Sequence, residues 1–178
     1  MPRIVSIARL PVGPALVTTR PRRPADEALL RRIYASTRAE EMVRVPWSAA
    51  EKQRFLEMQF EAQDRAYREN YPDADCAILL VGGRAAGRLY LHETAEACRV
   101  VDISLLPECR GRGIGAAILR EVQRQAAAAG RGVTLHVEAS NRARRLYERL
   151  GFRLTGAVNG TYLGMEWLPP PAGAAEGK

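Results

Sequence analysis

The chain has 178 residues, 47% hydrophobic and 26% charged, with a formal charge of +7, a size that fits one domain with a substantial core and leaves little room for two. No apolar run approaches the roughly 18 residues that span a bilayer, and the opening "MPRIVSIARLPVGPALVTTR" is too broken by proline and arginine for a signal peptide, so a cytoplasmic protein is expected. Cys76, Cys98 and Cys109 are odd in number and far apart, which suggests neither a disulfide framework nor a metal site.

In chain order, residues 1–14 are punctuated by Pro2, Pro11 and Pro14 and read as an irregular extension. "ALVTTR" (Ala15–Arg20) reads as a first strand. "PADEALLRRIYAST" (Pro24–Thr37) has a proline and two acids at its start and Leu29, Leu30, Ile33 and Tyr34 at helical spacing. After the connection "RAEEMVRVPW", Ser48 and Glu51 form a capping-box pattern that opens a second helix reaching to about Glu69. Within that helix Phe55, Leu56, Met58 and Phe60 read as a buried face.

The period then becomes extended. "CAILLV", "RAAGRLYLHE" and "ACRVVDISLL" read as three strands joined by hairpin turns, the first of them at Gly82-Gly83. A glycine loop and the helix "GAAILREVQRQAAAAG" follow, ended by Gly130. "VTLHVE" is a strand, "NRARRLYERLG" a helix, and "FRLTGA" with "TYLGMEWL" a hairpin turned by Asn159-Gly160. Residues 169–178 read as a disordered tail, so the domain proper is 15–168. Antiparallel hairpins followed by a β-α-β crossover predict a single-domain α/β fold. Its sheet is mixed and mostly antiparallel, with the glycine loop at the carboxyl end of a strand.

That loop is the informative stretch. In "ECRGRGIGAA", Gly111, Gly113 and Gly115 alternate with Arg112 and Ile114 and run into a helix. Glycine allows positive φ and close approach of the main chain to a ligand, and a helix start adds free amides and a positive dipole end. The expected ligand is a diphosphate, with Arg110 and Arg112 adding charge at the rim. Gly111-x-Gly113-x-x-Ala116 also meets the loose dinucleotide-binding pattern, with Glu138 near the place of a ribose-binding acid. Against that stand the four residues Pro107 to Arg110 before the first glycine, and the three antiparallel strands ahead of the unit. Nearly all the positive charge is arginine, since Lys52 and Lys178 are the only lysines. The arginines are not interleaved with aromatics as in a base-stacking surface, so a phosphorylated small molecule is favoured over nucleic acid.

"RGRGIG" (Arg110–Gly115) resembles the Arg/Gln-x-x-Gly-x-Gly/Ala motif of the GNAT superfamily of acyl-CoA N-acyltransferases. "NRARRLYERLGF" (Asn141–Phe152) is similar to that superfamily's second block, Asn…Leu-Tyr-x-x-x-Gly-Phe, and the element order is the superfamily's own. The likeness covers about Ala15 to Trp167. One departure is that Asn141 stands one residue nearer the tyrosine than in many members, so Ser140 shares its candidacy. The resemblance implies a fold with splayed central strands and transfer of the acetyl group of acetyl-CoA, as co-substrate, to a primary amine. An acyl-CoA-binding module without catalysis is the alternative. It implies no metal and no membrane, and it is compatible with a homodimer.

Residue by residue, the resemblance places main-chain contacts to pantetheine and acetyl oxygen at Ile103, Ser104 and Leu105, with the Leu105 N–H nearest the carbonyl. The diphosphate cradle falls on Arg110, Gly111, Arg112, Gly113, Ile114, Gly115 and Ala116, joined by Asn141, and Tyr147 takes the place of the general acid, also touching the cofactor. For the base three residues stay open. His136 lies where a ribosomal-protein N-terminal acetyltransferase carries its proposed glutamate. Asp102 lies where many small-amine acetyltransferases carry an acid, and Glu138 shares the face of His136 by strand alternation. The acceptor pocket is expected between the two early helices and the last hairpin, with Glu40 and Glu41 neutralising a cationic group and Tyr34 and Trp47 as walls. Which amine it takes is not written in the sequence.

Overall fold

A computed structural model describes residues 7–171. Eight strands form one sheet in the spatial order β1-β2-β3-β4-β5-β6-β8-β7, with helices on both faces. The strands are β1 (Leu10–Val12), β2 (Ala15–Pro21), β3 (Asp75–Val81), β4 (Arg84–Glu93), β5 (Ala97–Leu105), β6 (Gly132–Glu138), β7 (Arg153–Ala157) and β8 (Tyr162–Trp167). The helices are α1 (Glu27–Thr37), α2 (Ala39–Val43), α3 (Ala49–Asn70), α4 (Ile114–Ala128) and α5 (Arg144–Arg149). Every strand pairing is antiparallel except β5 with β6, which α4 connects. The mixed, mostly antiparallel α/β architecture expected from the sequence is therefore present. Among the described residues no helix is long and apolar enough to cross a membrane.

Local chemistry explains the punctuation. Gly82 (φ +56°) and Gly83 (φ +78°) both take the positive φ that a two-residue hairpin turn requires, and Val81 pairs directly with Arg84. The Ser48 hydroxyl accepts the Glu51 amide while the Glu51 carboxylate accepts from Ser48, completing the capping box of α3.

Two apolar cores form on opposite faces of the sheet. On one, α4 and α5 contribute Ile114, Ile118, Leu119, Val122 and Tyr147 against Leu89, Leu91, Val100 and Leu135. On the other, α1 and α3 contribute Leu30, Ile33, Tyr34 and Phe60 against Ile78 and Leu106. By alternation, Arg88 and Tyr90 of β4 and Asp102 and Ser104 of β5 turn toward the α1–α3 face.

Three local expectations are corrected. The segment 1–14 holds a strand, β1, where irregular chain was expected; it is an edge strand, where Pro11 withdraws no bond from a further neighbour. The connection after α1 contains a short helix, α2. Met58 is 56% exposed although it was counted with the buried face of α3, because it lies off the side that carries Leu56 and Phe60. The tail expected over 169–178 falls outside the described residues beyond 171.

A Cβ on Gly87 of β4 would stand 2.2 Å from the Ser104 carbonyl oxygen and 3.0 Å from Leu105 Cα, both main chain of β5. Gly87→Ala is expected to destabilise the protein by about 1–3 kcal/mol, as overpacked cores do, and to lower the melting temperature by roughly 3–10 °C. Gly115→Ala, whose new Cβ meets nothing nearer than 3.8 Å, should melt within about 2 °C of the parent. Calorimetry of both variants checks the contrast.

Candidate active site

The site begins where two strands part. β5 and β6 pair in parallel only from Ala97–Gly132 to Val100–Leu135. Beyond that point β5 continues to Leu105 beside β4 alone, and β6 continues to Glu138 beside β8 alone. The separation coincides with an irregularity opposite Tyr90 and Leu91, where Val101 is the extra residue of β5. The Leu106 N–H bonds the Ala86 carbonyl at 2.8 Å. By ladder alternation Ser104 therefore also aims its main chain at β4, while Ile103 and Leu105 aim theirs into the gap. Of the three residues expected there, Ser104 is excluded as a main-chain donor by the period of the strand. Its side chain instead donates to Asp102 Oδ1 at 2.7 Å.

The glycine loop lies at the end of β5. A short turn over Pro107–Cys109 leads to Gly111 (φ +69°) and Gly113 (φ +77°), the latter capping α4. The first bond of the helix runs from the Ala117 N–H to the Gly113 carbonyl. The amides of Gly111, Arg112, Gly113, Ile114, Gly115 and Ala116 therefore have no acceptor among the described residues. Four free amides are inherent to a helix start; here the loop extends the run to six. Arg110 and Arg112 are both exposed at the loop, and Arg110 directs its Nε to the Leu105 carbonyl.

Tyr147 of α5 is buried against Phe152, with ring centroids 5.9 Å apart. Its phenol is pushed up to about 12, first by burial and then by the negative charge of Asp102. Asp102 itself sits on a polar floor beneath α3. Its Oδ2 lies 2.5 Å from Nη2 of Arg88, a residue only 2% exposed, and the same Nη2 donates to Gln63 of α3 at 2.6 Å. The ion pair is close but poorly aligned, so Arg88 Nε and Asp102 Oδ2 are left without a directed hydrogen bond. Tyr67 of α3 closes this floor, its phenol raised by burial and by the Asp102 charge.

At the mouth, Arg38 follows α1 and reaches Glu41 at 3.0 Å and Glu138 at 3.6 Å, with its guanidinium 6.0 Å from the Tyr34 ring. The Tyr162 hydroxyl donates to the same Glu138 carboxylate at 3.2 Å. His136, two residues earlier on β6, is exposed and has neither hydrogen bond nor ion pair among the described residues. Burial and the charge of Arg99 hold its pKa below the usual 6.5. The Asn141 carboxamide oxygen accepts the Ala143 N–H at 2.9 Å, so it shapes the turn before α5, which starts at Arg144 rather than at Asn141. Ser140 is exposed. Of the residues expected around the acceptor, Tyr34 is buried in the α1–α3 core, Glu40 is exposed, and Trp47 packs on Phe55 at 5.3 Å. Arg38, Tyr67, Arg88 and Tyr162 were not anticipated. Tyr162 alone carried a signal, because strand pairing places it opposite Glu138.

A family model described as the acetyltransferase (GNAT) family matches residues 33–152, more than half of the chain. No curated protein matches the sequence. Solved structures share the fold. PaiA N-acetyltransferase from Thermoplasma acidophilum, in complex with coenzyme A, superposes with a TM-score of 0.64 at 17% identity, over 86% of this chain and 99% of that one. An acetyltransferase from Thermus thermophilus gives 0.60 at 21% identity, over 86% and 97%. RimL, a ribosomal alpha-N-protein acetyltransferase in complex with coenzyme A, gives 0.58 at 16% identity, over 90% and 97%. With parted central strands, a glycine loop of free amides and a family match that spans both motifs, the chain belongs to the GNAT family of acetyltransferases.

Proposed function

We propose that this acyltransferase moves the acetyl group of acetyl-CoA directly to a primary amine. The observation that carries the reading is the run of six unpaired amides from Gly111 to Ala116, beside a strand edge opened by the loss of β6. N–H groups covered by a ligand require acceptors, and pantetheine followed by a diphosphate would supply them in that order along the main chain. Ile103 and Leu105 would hold the pantetheine edge. The Leu105 N–H, facing the gap, would meet the carbonyl oxygen as negative charge develops there. Arg112 adds a nearby cation, and Asn141 contributes through its turn rather than through its carboxamide oxygen.

In the reaction the amine nitrogen bonds to the thioester carbon, the carbon–sulfur bond breaks, and the sulfur takes the electron pair. Tyr147 serves the sulfur. Its phenol, at about 12, lies above a thiol near 8.5, and each unit is 1.36 kcal/mol, so full transfer of its proton would be uphill by about 5 kcal/mol. A neutral hydrogen-bond donor to the leaving thiolate is the role this ordering supports, in place of a complete acid.

Of the three residues open as base, Asp102 is held by Arg88 and Glu138 by Arg38 and Tyr162. Both carboxylates are suited to holding a cation in place. His136 is unpaired, and its lowered pKa keeps the ring unprotonated at neutral pH. It is assigned here as the group that takes the amine proton.

Thermal-shift titration with acetyl-CoA, coenzyme A and NAD side by side tests the cofactor. The first two should raise the melting temperature, and stabilisation by NAD alone would sink the reading. With an amine panel, Tyr147→Phe should lower kcat by about 10²-fold or more, within the range of one proton-positioning group; a variant as fast as the parent removes Tyr147 from the mechanism.

His136 must be unprotonated to act, so activity is gained as pH rises. The parent's kcat/KM should therefore fall on the acid side with an apparent pKa below 6.5, and His136→Ala should lose that limb.

Asp102→Asn leaves the Arg88 guanidinium buried without its counter-charge, at a cost of about 3 kcal/mol. It should also lower the phenol pKa of Tyr147, because a raising charge is gone. Denaturation and spectroscopic titration of the phenol read the two effects separately.

A further inference from the structure

Arg110 opens the glycine loop, yet most of its hydrogen-bonding capacity is spent away from it. Nε donates to the Leu105 carbonyl at 2.8 Å, and Nη2 donates to the Ser36 carbonyl at 3.2 Å and to Ser36 Oγ at 2.9 Å. Nη1 has no acceptor among the described residues. One planar side chain thus grips the end of β5 and the last turn of α1, and keeps one nitrogen for an anion. The fork geometry of arginine allows this and a lysine ammonium does not reproduce it. The grip on α1 is favourable in its own right, since a helix leaves its last carbonyls unpaired and its C-terminal end attracts cations.

The two gripped points matter for different substrates. The Leu105 carbonyl belongs to the peptide that also donates the Leu106 N–H to Ala86, so Arg110 and β4 together fix the peptide just after the Leu105 amide. Ser36 is two residues before Arg38, whose guanidinium reaches Glu41 and Glu138 at the mouth. The Ser36 hydroxyl is anchored in turn on the Ile33 carbonyl at 2.7 Å.

We propose that Arg110 is a positioning residue that couples occupation of the glycine loop to the order of the α1–α2 junction, residues 36–44, and so links the acyl-donor and acceptor sides. The inference rests on acetyl-CoA occupying the loop. An anion on the amides of Gly111 to Ala116 fixes the loop; the loop fixes Arg110; Arg110 fixes Ser36 and the start of the segment bearing Arg38 and Glu41. Such coupling is reciprocal for binding, and factors of about 5–150 are usual.

The test combines calorimetric titration with acetyl-CoA and amide hydrogen exchange on the full chain. In the parent, saturating acetyl-CoA should slow exchange over 111–116 and also, by about fivefold or more, over 36–44. Arg110→Ala should still bind acetyl-CoA and protect 111–116 while 36–44 no longer responds, and Arg110→Lys should restore little of the response. Ser36→Ala, which removes one of three bonds at a residue outside both sites, should weaken it and decides the matter if Arg110→Ala does not fold. A parent whose 36–44 ignores acetyl-CoA overturns the coupling, as does an Arg110→Ala protein in which that segment is still protected on binding. The latter would make the arginine a structural brace only. A parent that does not bind acetyl-CoA overturns the function proposed above instead, and the two failures are distinct.

Discussion

The parting of β5 from β6 after Val100 and Leu135 is the constraint on which the rest of the molecule depends. A buried strand edge left unpaired is costly because every N–H and carbonyl needs a partner. The fold limits the exposure to one side: β4 keeps its hold on β5 as far as Leu105, and β8 keeps its hold on β6 as far as Glu138. Only the alternate groups of Ile103 and Leu105 face the gap. After a turn in which Leu106, Cys109 and Arg110 bond their amides within the chain, the glycine loop adds a second run of unpaired amides leading into α4. The main chain thus offers two groups of donors, one on the strand edge and one in the loop, and side chains are needed in the loop chiefly to stay out of the way. That is why glycine recurs at 111 and 113, where φ is positive.

Beside the gap the sheet carries a buried ion pair in place of apolar packing. Arg88 and Asp102 face each other across β4 and β5 under α3, and both retain an undirected buried atom. A buried ion pair of this kind is a poor source of stability compared with apolar packing, and breaking it is worse than never having it. Its value is electrostatic. The Asp102 charge reaches Tyr67 on its own face and Tyr147 on the other, raising both phenols. Arg88 compensates the charge without extinguishing its influence on the phenols.

Much of this was legible in the chain, and what was not has physical reasons. Strand positions followed from period-two runs, and the Gly82-Gly83 turn from the φ values it demands. The loop followed from glycine spacing next to a helix start. β1 was hidden by Pro11 and Pro14, because a two-residue turn at an edge tolerates prolines that a central strand would not. α2 is only five residues long and shows no period. Ser104 was grouped with its neighbours because a motif names a stretch, while the pleat alternates within it. The floor and the mouth were least legible. Arg88 meets Gln63 and Asp102, and Arg38 meets Glu138, across separations that no local pattern reports. The opening of the strands followed from family resemblance alone, since nothing in the residues of β6 says where pairing must stop.

The sheet also divides the chemistry. On the α4–α5 face the groups near the gap are neutral: main-chain amides and a phenol held protonated by burial. On the α1–α3 face they are charged: Asp102 with Arg88, and Glu138 with Arg38. A thioester is neutral until its carbonyl is attacked, so a fixed carboxylate beside it would oppose the negative charge that develops in the transition state. Oriented dipoles gain most when charge appears. An amine arrives as a cation and must be recognised, held and deprotonated, which needs carboxylates and a base. Placing each set on its own side of one sheet, and joining them only through the slit between β5 and β6, keeps fixed charge away from the sulfur while leaving it within reach of the nitrogen.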